Sequence, residues 1–172
     1  MSPLTVLAAI GVIVYVIGQQ VIGSAVRGKR LIVLPAVLTV VGILEISGSK
    51  SLGALDVLLL GVSAVTAIAI GLGLGSMTRL ERRGGYLWAQ LPKRGLWLWG
   101  GLIASRVVVS GIAGVSGAHV AAGTGAILLT LGLNRAAQAL VVGSRAVAAG
   151  IPFAPEKDGT TFAAGLFSGS AQ

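Results

Sequence analysis

The sequence predicts an all-α membrane protein, a polytopic bundle of about five transmembrane helices with a short cytoplasmic β-hairpin between the third and fourth. Hydrophobic residues make up 55% of the chain and charged residues only 10%, whereas soluble domains carry about 25% charged residues. Five apolar runs approach the ~20 residues that a helix needs to cross ~30 Å of hydrocarbon. A chain of 172 residues with this many crossings leaves little room for a soluble catalytic domain.

The five apolar runs set the predicted organisation of the chain, and they cover residues 4–22, 31–46, 54–75, 96–113 and 120–142. The first is expected to be a retained helix rather than a signal peptide, because residues 1–3 carry no positive charge. The last is expected to continue as a helix to Ala149. We therefore divide the chain into a bundle, 1–149, and a mobile cytoplasmic tail, 150–172, which is rich in Pro, Gly, Ser and Thr.

Lys and Arg residues indicate the orientation, because they accumulate in cytoplasmic loops near helix ends. One set of linkers holds ten of them, namely Arg27, Lys29, Arg30, Arg79, Arg82, Arg83, Lys93, Arg94, Arg145 and Lys157, while the other holds only Lys50. The chain is thus predicted to lie in the membrane with its N-terminus outside and its C-terminus in the cytoplasm. Trp97 and Trp99, directly after the basic third linker, are expected in an interfacial aromatic belt.

Glycines predict two local structures. Gly84 and Gly85 separate residues 77–82 from residues 86–91 and favour a two-residue hairpin turn, although an interfacial coil fits the same residues. The spacing of Gly71 and Gly75, and of Ser110 and Gly114, is typical of surfaces where membrane helices approach closely.

Charged side chains inside apolar runs are the first candidates for function, because each costs ~3 kcal/mol or more in hydrocarbon and usually has a partner or lines a wet cavity. Glu45, Asp56 and Arg106 belong to this group, and His119 lies in the loop before the last run. We expect these four to form an outward-opening polar pocket, and they are the candidate catalytic residues although no catalytic role is defined. The alternative is a structural ion pair between helices, with His119 a solvated loop residue.

A second polar cluster lies on the last run. Thr130, Asn134 and Gln138 are spaced four residues apart, with Arg135 beside them. Asn134, Arg135 and Gln138 are candidate ligand-binding residues, but polar groups at this spacing also serve as interhelical hydrogen bonds worth ~1 kcal/mol each.

Composition excludes several chemistries. The absence of cysteine removes disulfides, thiol relays and iron–sulfur clusters, and a single histidine excludes a bis-histidine haem or a two-histidine metal site within one chain. No nucleotide-binding loop, nucleophile elbow or zinc-protease motif occurs. We expect no cofactor and no metal. The net charge of +8 sits in short loops without interleaved aromatics, so nucleic acid is not an expected partner.

The order of motifs resembles the CcdC-like family, small bacterial membrane proteins named for an association with cytochrome c biogenesis. Four features carry the resemblance: a basic loop that leads into the second helix (residues 27–35), the stretch 80–87, an arginine inside the fourth helix (within residues 103–108), and Arg135. Together they cover about 110 residues. The resemblance implies a five-span membrane protein. It transfers no catalytic residue, and without cysteine any role in cytochrome maturation is indirect.

Three functions are compatible with this sequence. The leading hypothesis is an accessory membrane protein that binds a membrane lipid, another hydrophobic small molecule or a second membrane protein, with oligomerisation open. The alternative is a small membrane-embedded enzyme, a cyclase or isomerase, that acts by acid–base chemistry on an isoprenoid-like substrate. The third is a transporter or channel lined by the same charges.

Overall fold

The computed structural model describes residues 18, 22–49 and 52–155 and is mostly helical. Its helices are α1 (Gly28–Ser47), α2 (Ala54–Met77), α3 (Leu96–Ser116), α4 (His119–Ala122) and α5 (Thr124–Ala148), with a 3-10 turn at Lys93–Gly95. Within this part of the chain, α1, α2, α3 and α5 are long and apolar enough to cross a membrane. Four of the five predicted spans are thus confirmed as helices, and the first, 4–22, lies almost entirely outside the described residues.

Helix boundaries differ from the apolar runs mainly where charged residues continue the helix. The first described span begins at Gly28 rather than Leu31, so Lys29 and Arg30 form part of its first turn. The last helix continues to Ala148, which confirms its predicted extension past 142. Two breaks separate α3 from this last helix. Gly117, with φ of 73°, ends α3 in the left-handed region that glycine favours. The single turn of α4 follows, and it ends at Gly123.

A small antiparallel sheet covers one end of the bundle. Its strands β1 (Ser24–Ala25), β2 (Arg79–Arg83) and β3 (Tyr86–Gln90) lie in the order β1-β3-β2. The predicted hairpin is confirmed: Gly84 and Gly85 both have positive φ, 58° and 85°, as a tight two-residue turn between twisted strands requires. Strand β1 was not predicted, because two residues carry no readable alternation pattern.

The chain after α5 returns to this sheet. The Leu87 amide donates to the carbonyl of Pro152 at 2.8 Å, and the Ala154 amide donates to that of Val26 at 2.9 Å. Phe153 is buried in a cluster with Leu87, Val142 and Ala146. The segment predicted to be a mobile tail therefore begins with residues that are hydrogen-bonded and packed as far as Ala154, while 156–172 lie outside the described part of the chain.

Helix α5 is the central element of the described bundle, and glycines set its distance from its neighbours. A β-carbon at Gly71 would meet the backbone oxygen of Asn134, and one at Gly75 would lie 2.7 Å from the Cβ of Val141. On the α1 side, a β-carbon at Gly42 would lie 2.5 Å from the amide nitrogen of Leu129. Close packing at Gly71 and Gly75 is therefore confirmed. Among the described residues nothing approaches Gly114 in this way.

The two tryptophans that open α3 have different environments. Trp97 is 86% exposed, as expected for the interfacial belt, but Trp99 is only 5% exposed and packs against Leu74 and Leu91. The belt prediction is therefore wrong for Trp99. Residues two apart on an α-helix point to nearly opposite sides, because each adds about 100° of rotation.

The sheet also gathers most of the basic residues at one end of the bundle. It brings together the basic stretches 27–30, 79–83 and 93–94, together with Arg145, at what we call the sheet end of the bundle. The opposite end, the loop end, contains the C-terminus of α1, the N-terminus of α2 and the segment 117–123. Glu45, Asp56 and His119 lie there.

Candidate functional site

The loop end is shaped by a segment that folds back into the bundle. Between Gly117 and Gly123 the chain turns inward, so that Ala118 and Ala121 are buried with Leu59, Val109 and Ala113. Most of these side chains are alanines. Their small size lets the backbone of the returning segment lie close to α2 and α3, and this places backbone groups rather than side chains against the nearby charges.

Asp56 is used to hold this segment. It is 5% exposed, its Oδ1 accepts the Ala121 amide at 2.9 Å, and its Oδ2 accepts the Gly53 amide at 3.2 Å. The second bond caps the first turn of α2, where a carboxylate also complements the helix dipole. Asp56 therefore joins the start of α2 to the returning segment, and both of its oxygens have partners.

Arg106 has few partners. Its Nη2 donates to the carbonyl of Gly123 at 3.3 Å, whereas Nε and Nη1 are buried with no hydrogen-bond partner among the described residues. No carboxylate in the described residues pairs with it, since the ion pair found there joins Arg83 to Glu81. An arginine near the middle of α3 thus has two buried guanidinium nitrogens, and its third donates to one backbone carbonyl.

Glu45 and His119 share a cavity. An open cavity of about 290 Å³ is lined by both residues and by Ser49, Gly123 and Thr124, with Ile46, Val120 and Gly125 completing the wall. Both side chains are exposed. Gly123 connects this cavity to Arg106, because it lines the cavity and its carbonyl accepts the arginine's hydrogen bond.

The structure brings two of the four candidate residues, Glu45 and His119, together at a cavity. All four candidates belong to the α1, α2, α3 and 117–123 elements that meet toward the loop end, but they do not converge on one enclosed site. Glu45 and His119 lie together, Arg106 lies on the other side of a shared glycine, and Asp56 is occupied by backbone amides. The alternative of an ion pair between helices is not found among the described residues.

The second polar cluster is divided between two faces of α5. Asn134 is fully buried, and its Nδ2 donates to the carbonyl of Ala67 on α2 at 2.9 Å while its Oδ1 has no partner. Arg135 donates to Oε1 of Gln138 at 3.1 Å and lies 5.4 Å from the centre of the Trp99 ring. The hydroxyl of Thr130 bonds within its own helix. The contacts are those of interhelical and intrahelical bonding.

The residue that sequence reasoning missed is Arg145. Its Nη1 lies 2.9 Å from each of the carbonyl oxygens of Gly75, Ser76 and Thr78, where α2 ends. The last carbonyls of a helix have no intrahelical partners, and a cation there also meets the negative end of the dipole. The sequence shows Arg145 only as a cytoplasmic basic residue, because its acceptors are about 70 residues away along the chain.

Comparison with known proteins adds no relative: no family model, curated protein or solved structure matches this chain. In the described part of the chain, no group of three or more histidine or acidic residues is placed to hold a metal ion.

Proposed function

We propose that this protein is an accessory integral membrane protein whose helix bundle binds an anionic, lipid-like amphiphile at Arg106. The observation that carries the proposal is the state of that guanidinium within the described part of the chain: one hydrogen bond to a backbone carbonyl, two buried nitrogens without partners there, and no ion pair with a described carboxylate.

The energetic argument is that an arginine within a membrane helix needs an acceptor. Its cost in hydrocarbon is ~3 kcal/mol or more when nothing compensates it, and arginine is well suited to carboxylate or phosphate because its donors bond such groups in pairs. Asp56 does not serve here, since its oxygens accept backbone amides and no ion pair joins it to Arg106 in the described structure. A ligand carboxylate or phosphate would supply the missing acceptors, while an apolar tail would lie along the exposed Val107 and Val108 of α3.

The proposed location follows from the charge distribution. The sheet end, with nine of the thirteen basic residues, would face the cytoplasm of a bacterium, and with the predicted span 4–22 preceding α1 the N-terminus would lie outside the cytoplasmic membrane. Because the chain has no native cysteine, Arg83→Cys introduces a unique thiol. We expect an impermeant maleimide to label it in inverted vesicles and not in intact cells; labelling from outside would overturn this orientation.

Affinity for an acidic amphiphile tests the ligand proposal. In purified protein in neutral detergent, oleate should bind and raise the thermal unfolding temperature, and uncharged oleyl alcohol should do so much less. Arg106→Met should weaken oleate binding at least about tenfold, because charge-assisted hydrogen bonds contribute about 1.5–3 kcal/mol. Val115→Met, at a 93% exposed position on the same helix and away from the proposed tail contact, is the matched control. Equal binding by both variants would contradict the proposal.

A second candidate function rests on the cavity that Glu45 and His119 share. A carboxylic acid and an imidazole at one cavity are a pair able to donate and accept a proton, which supports the alternative of a cyclase or isomerase acting on an isoprenoid-like substrate. Glu45→Gln and His119→Gln would each abolish such turnover while leaving oleate binding at Arg106 unchanged. Incubation with native membrane lipid extract, followed by mass spectrometry for isomerised products, distinguishes the two functions.

The resemblance to CcdC-like proteins supports a proposed cellular role for this protein. An indirect role in cytochrome c maturation predicts that deleting the gene lowers the content of covalently bound haem in membrane c-type cytochromes. Normal haem staining in the deletion strain would remove that link and leave amphiphile binding untouched.

A further inference from the structure

A second cavity lies at the sheet end, away from Arg106, and it differs from the first in charge. It has a volume of about 680 Å³ and is lined by Arg79, Lys93 and Arg94 together with Met77, Gln90, Leu91 and Pro92. Among the described residues its wall therefore has three cations, one amide and three apolar side chains, and none of them is acidic.

The three cations have no anionic partner in the described part of the chain. The carboxylate of Glu81, on the same strand as Arg79, accepts from Nε and Nη2 of Arg83 at 3.0 and 2.8 Å. Arg79, Lys93 and Arg94 are exposed. Their positions are set by ordered backbone, since Arg79 pairs with Gln90 across the hairpin and the other two lie in the 3-10 turn that leads into α3.

The cavity lies where the membrane surface is expected. Met77 is the last residue of α2 and Leu96 the first of α3, and both of these helices are long enough to span a bilayer. Trp97, 86% exposed, is one turn from Lys93 and marks the interfacial level at which tryptophan is preferred. Lipid headgroups occupy this level, with their acyl chains continuing toward the bilayer centre.

We propose that this cavity, the basic interfacial cavity, binds the phosphate headgroup of an anionic glycerophospholipid. Arg79, Lys93 and Arg94 would contact the headgroup, and Met77, Leu91 and Pro92 would contact the glycerol and upper acyl carbons. Cations at the membrane surface attract anionic lipid, and a cavity that pairs them with an apolar wall suits a phospholipid better than a soluble anion. The proposal is independent of the proposed function, because it concerns the opposite end of the bundle.

Lipid binding to matched charge variants tests the proposal. The full chain in neutral detergent is titrated with phosphatidylglycerol, phosphatidylcholine or inorganic phosphate, and bound lipid is counted by native mass spectrometry. The triple variant Arg79→Gln, Lys93→Gln, Arg94→Gln should lose at least about tenfold in affinity for phosphatidylglycerol, since each surface cation adds about a severalfold factor. The control triple Arg27→Gln, Arg30→Gln, Arg82→Gln removes the same charge from residues that do not line the cavity. It should lose only diffuse attraction, which physiological salt screens, and therefore less than about threefold in affinity.

Equal losses in both triples would overturn the proposal, because they would show diffuse attraction to a basic surface. Inorganic phosphate binding as tightly as phosphatidylglycerol would also overturn it, by showing a soluble anion as the ligand. If the triple variant does not fold, a second measurement tests the proposal in protein that keeps all of its basic residues. Brominated phosphatidylglycerol at low mole fraction should quench the Trp97 fluorescence, defined by difference from Trp97→Phe, more than brominated phosphatidylcholine does; equal quenching would overturn the proposal.

Discussion

Arg145 at the sheet end donates from one nitrogen toward three backbone carbonyls, whereas Arg106, reaching toward the loop end, donates to one. Both arginines lie on long apolar helices and both bond only to backbone. The difference lies in the acceptors that the chain offers. A helix C-terminus presents several unpaired carbonyls together, but an extended turn such as Gly123 presents one. The comparison indicates that Arg145 stabilises the fold by binding the end of α2, and that Arg106 still has donors able to bind another group.

Packing also differs between the sheet end and the loop end. The sheet-end cluster contains Leu87, Val142 and Phe153, large side chains that fill the space between the sheet and α5. The loop-end cluster consists largely of alanines, which bring backbone close but leave the Glu45–His119 cavity beside them. One end is closed by bulky side chains, and the other is joined by hydrogen bonds such as that of Asp56.

The largest expected effect comes from truncating the sheet-end cluster. Leu87→Ala should lower the free energy of unfolding by about 3 kcal/mol, because it removes a fully buried side chain and leaves a void. Leu58→Ala, at a 59% exposed position on α2, is the matched control and should change stability by less than about 0.5 kcal/mol. Denaturant titration in micelles gives both values, and similar losses would show that the sheet end is not a packed core.

A smaller effect is expected from the hydrogen bonds of the loop end. Asp56→Ala should cost about 2 kcal/mol, because it removes a charged acceptor from two amides. Hydrogen exchange at the Ala121 amide should become faster, while exchange in β3 stays unchanged. Asp56→Asn keeps one oxygen acceptor and should lie between wild type and Asp56→Ala. If exchange at Ala121 did not change, Asp56 would not hold the returning segment.

The smallest expected effect tests the two arginines directly. Arg145→Met should lower stability by about 1 kcal/mol, because its charge and bonds at the end of α2 are lost from an exposed position. Arg106→Met without added ligand should be within about 0.5 kcal/mol of wild type or more stable, since it removes a poorly compensated charge from the bundle. A larger loss for Arg106→Met than for Arg145→Met would reverse the comparison. Thermal unfolding of both variants in lipid-free detergent provides the measurement.

Much of the fold was predictable because its signals are local. The lengths of the apolar runs predict the described spans, the Gly84–Gly85 pair predicts the hairpin, and the spacing of Gly71 and Gly75 predicts close helix contact; each is a pattern within a few residues. The site was predicted less well. The sequence identifies Glu45, Asp56 and Arg106 by their cost in lipid and adds His119 from the loop before the last run. It suggests that these side chains pair with one another, whereas in the structure Asp56 bonds to backbone amides.

By itself, the sequence determines that this chain is a bundle of membrane-length helices with its basic residues toward one end, because hydrocarbon requires long apolar segments and the linkers hold the charge. Only the tertiary structure decides which charges are satisfied. Arg145 meets the end of α2, Asp56 meets Ala121, and Arg106 meets a single carbonyl. These contacts join residues 17 to 70 positions apart, and such separations follow from how the helices approach one another rather than from any local pattern.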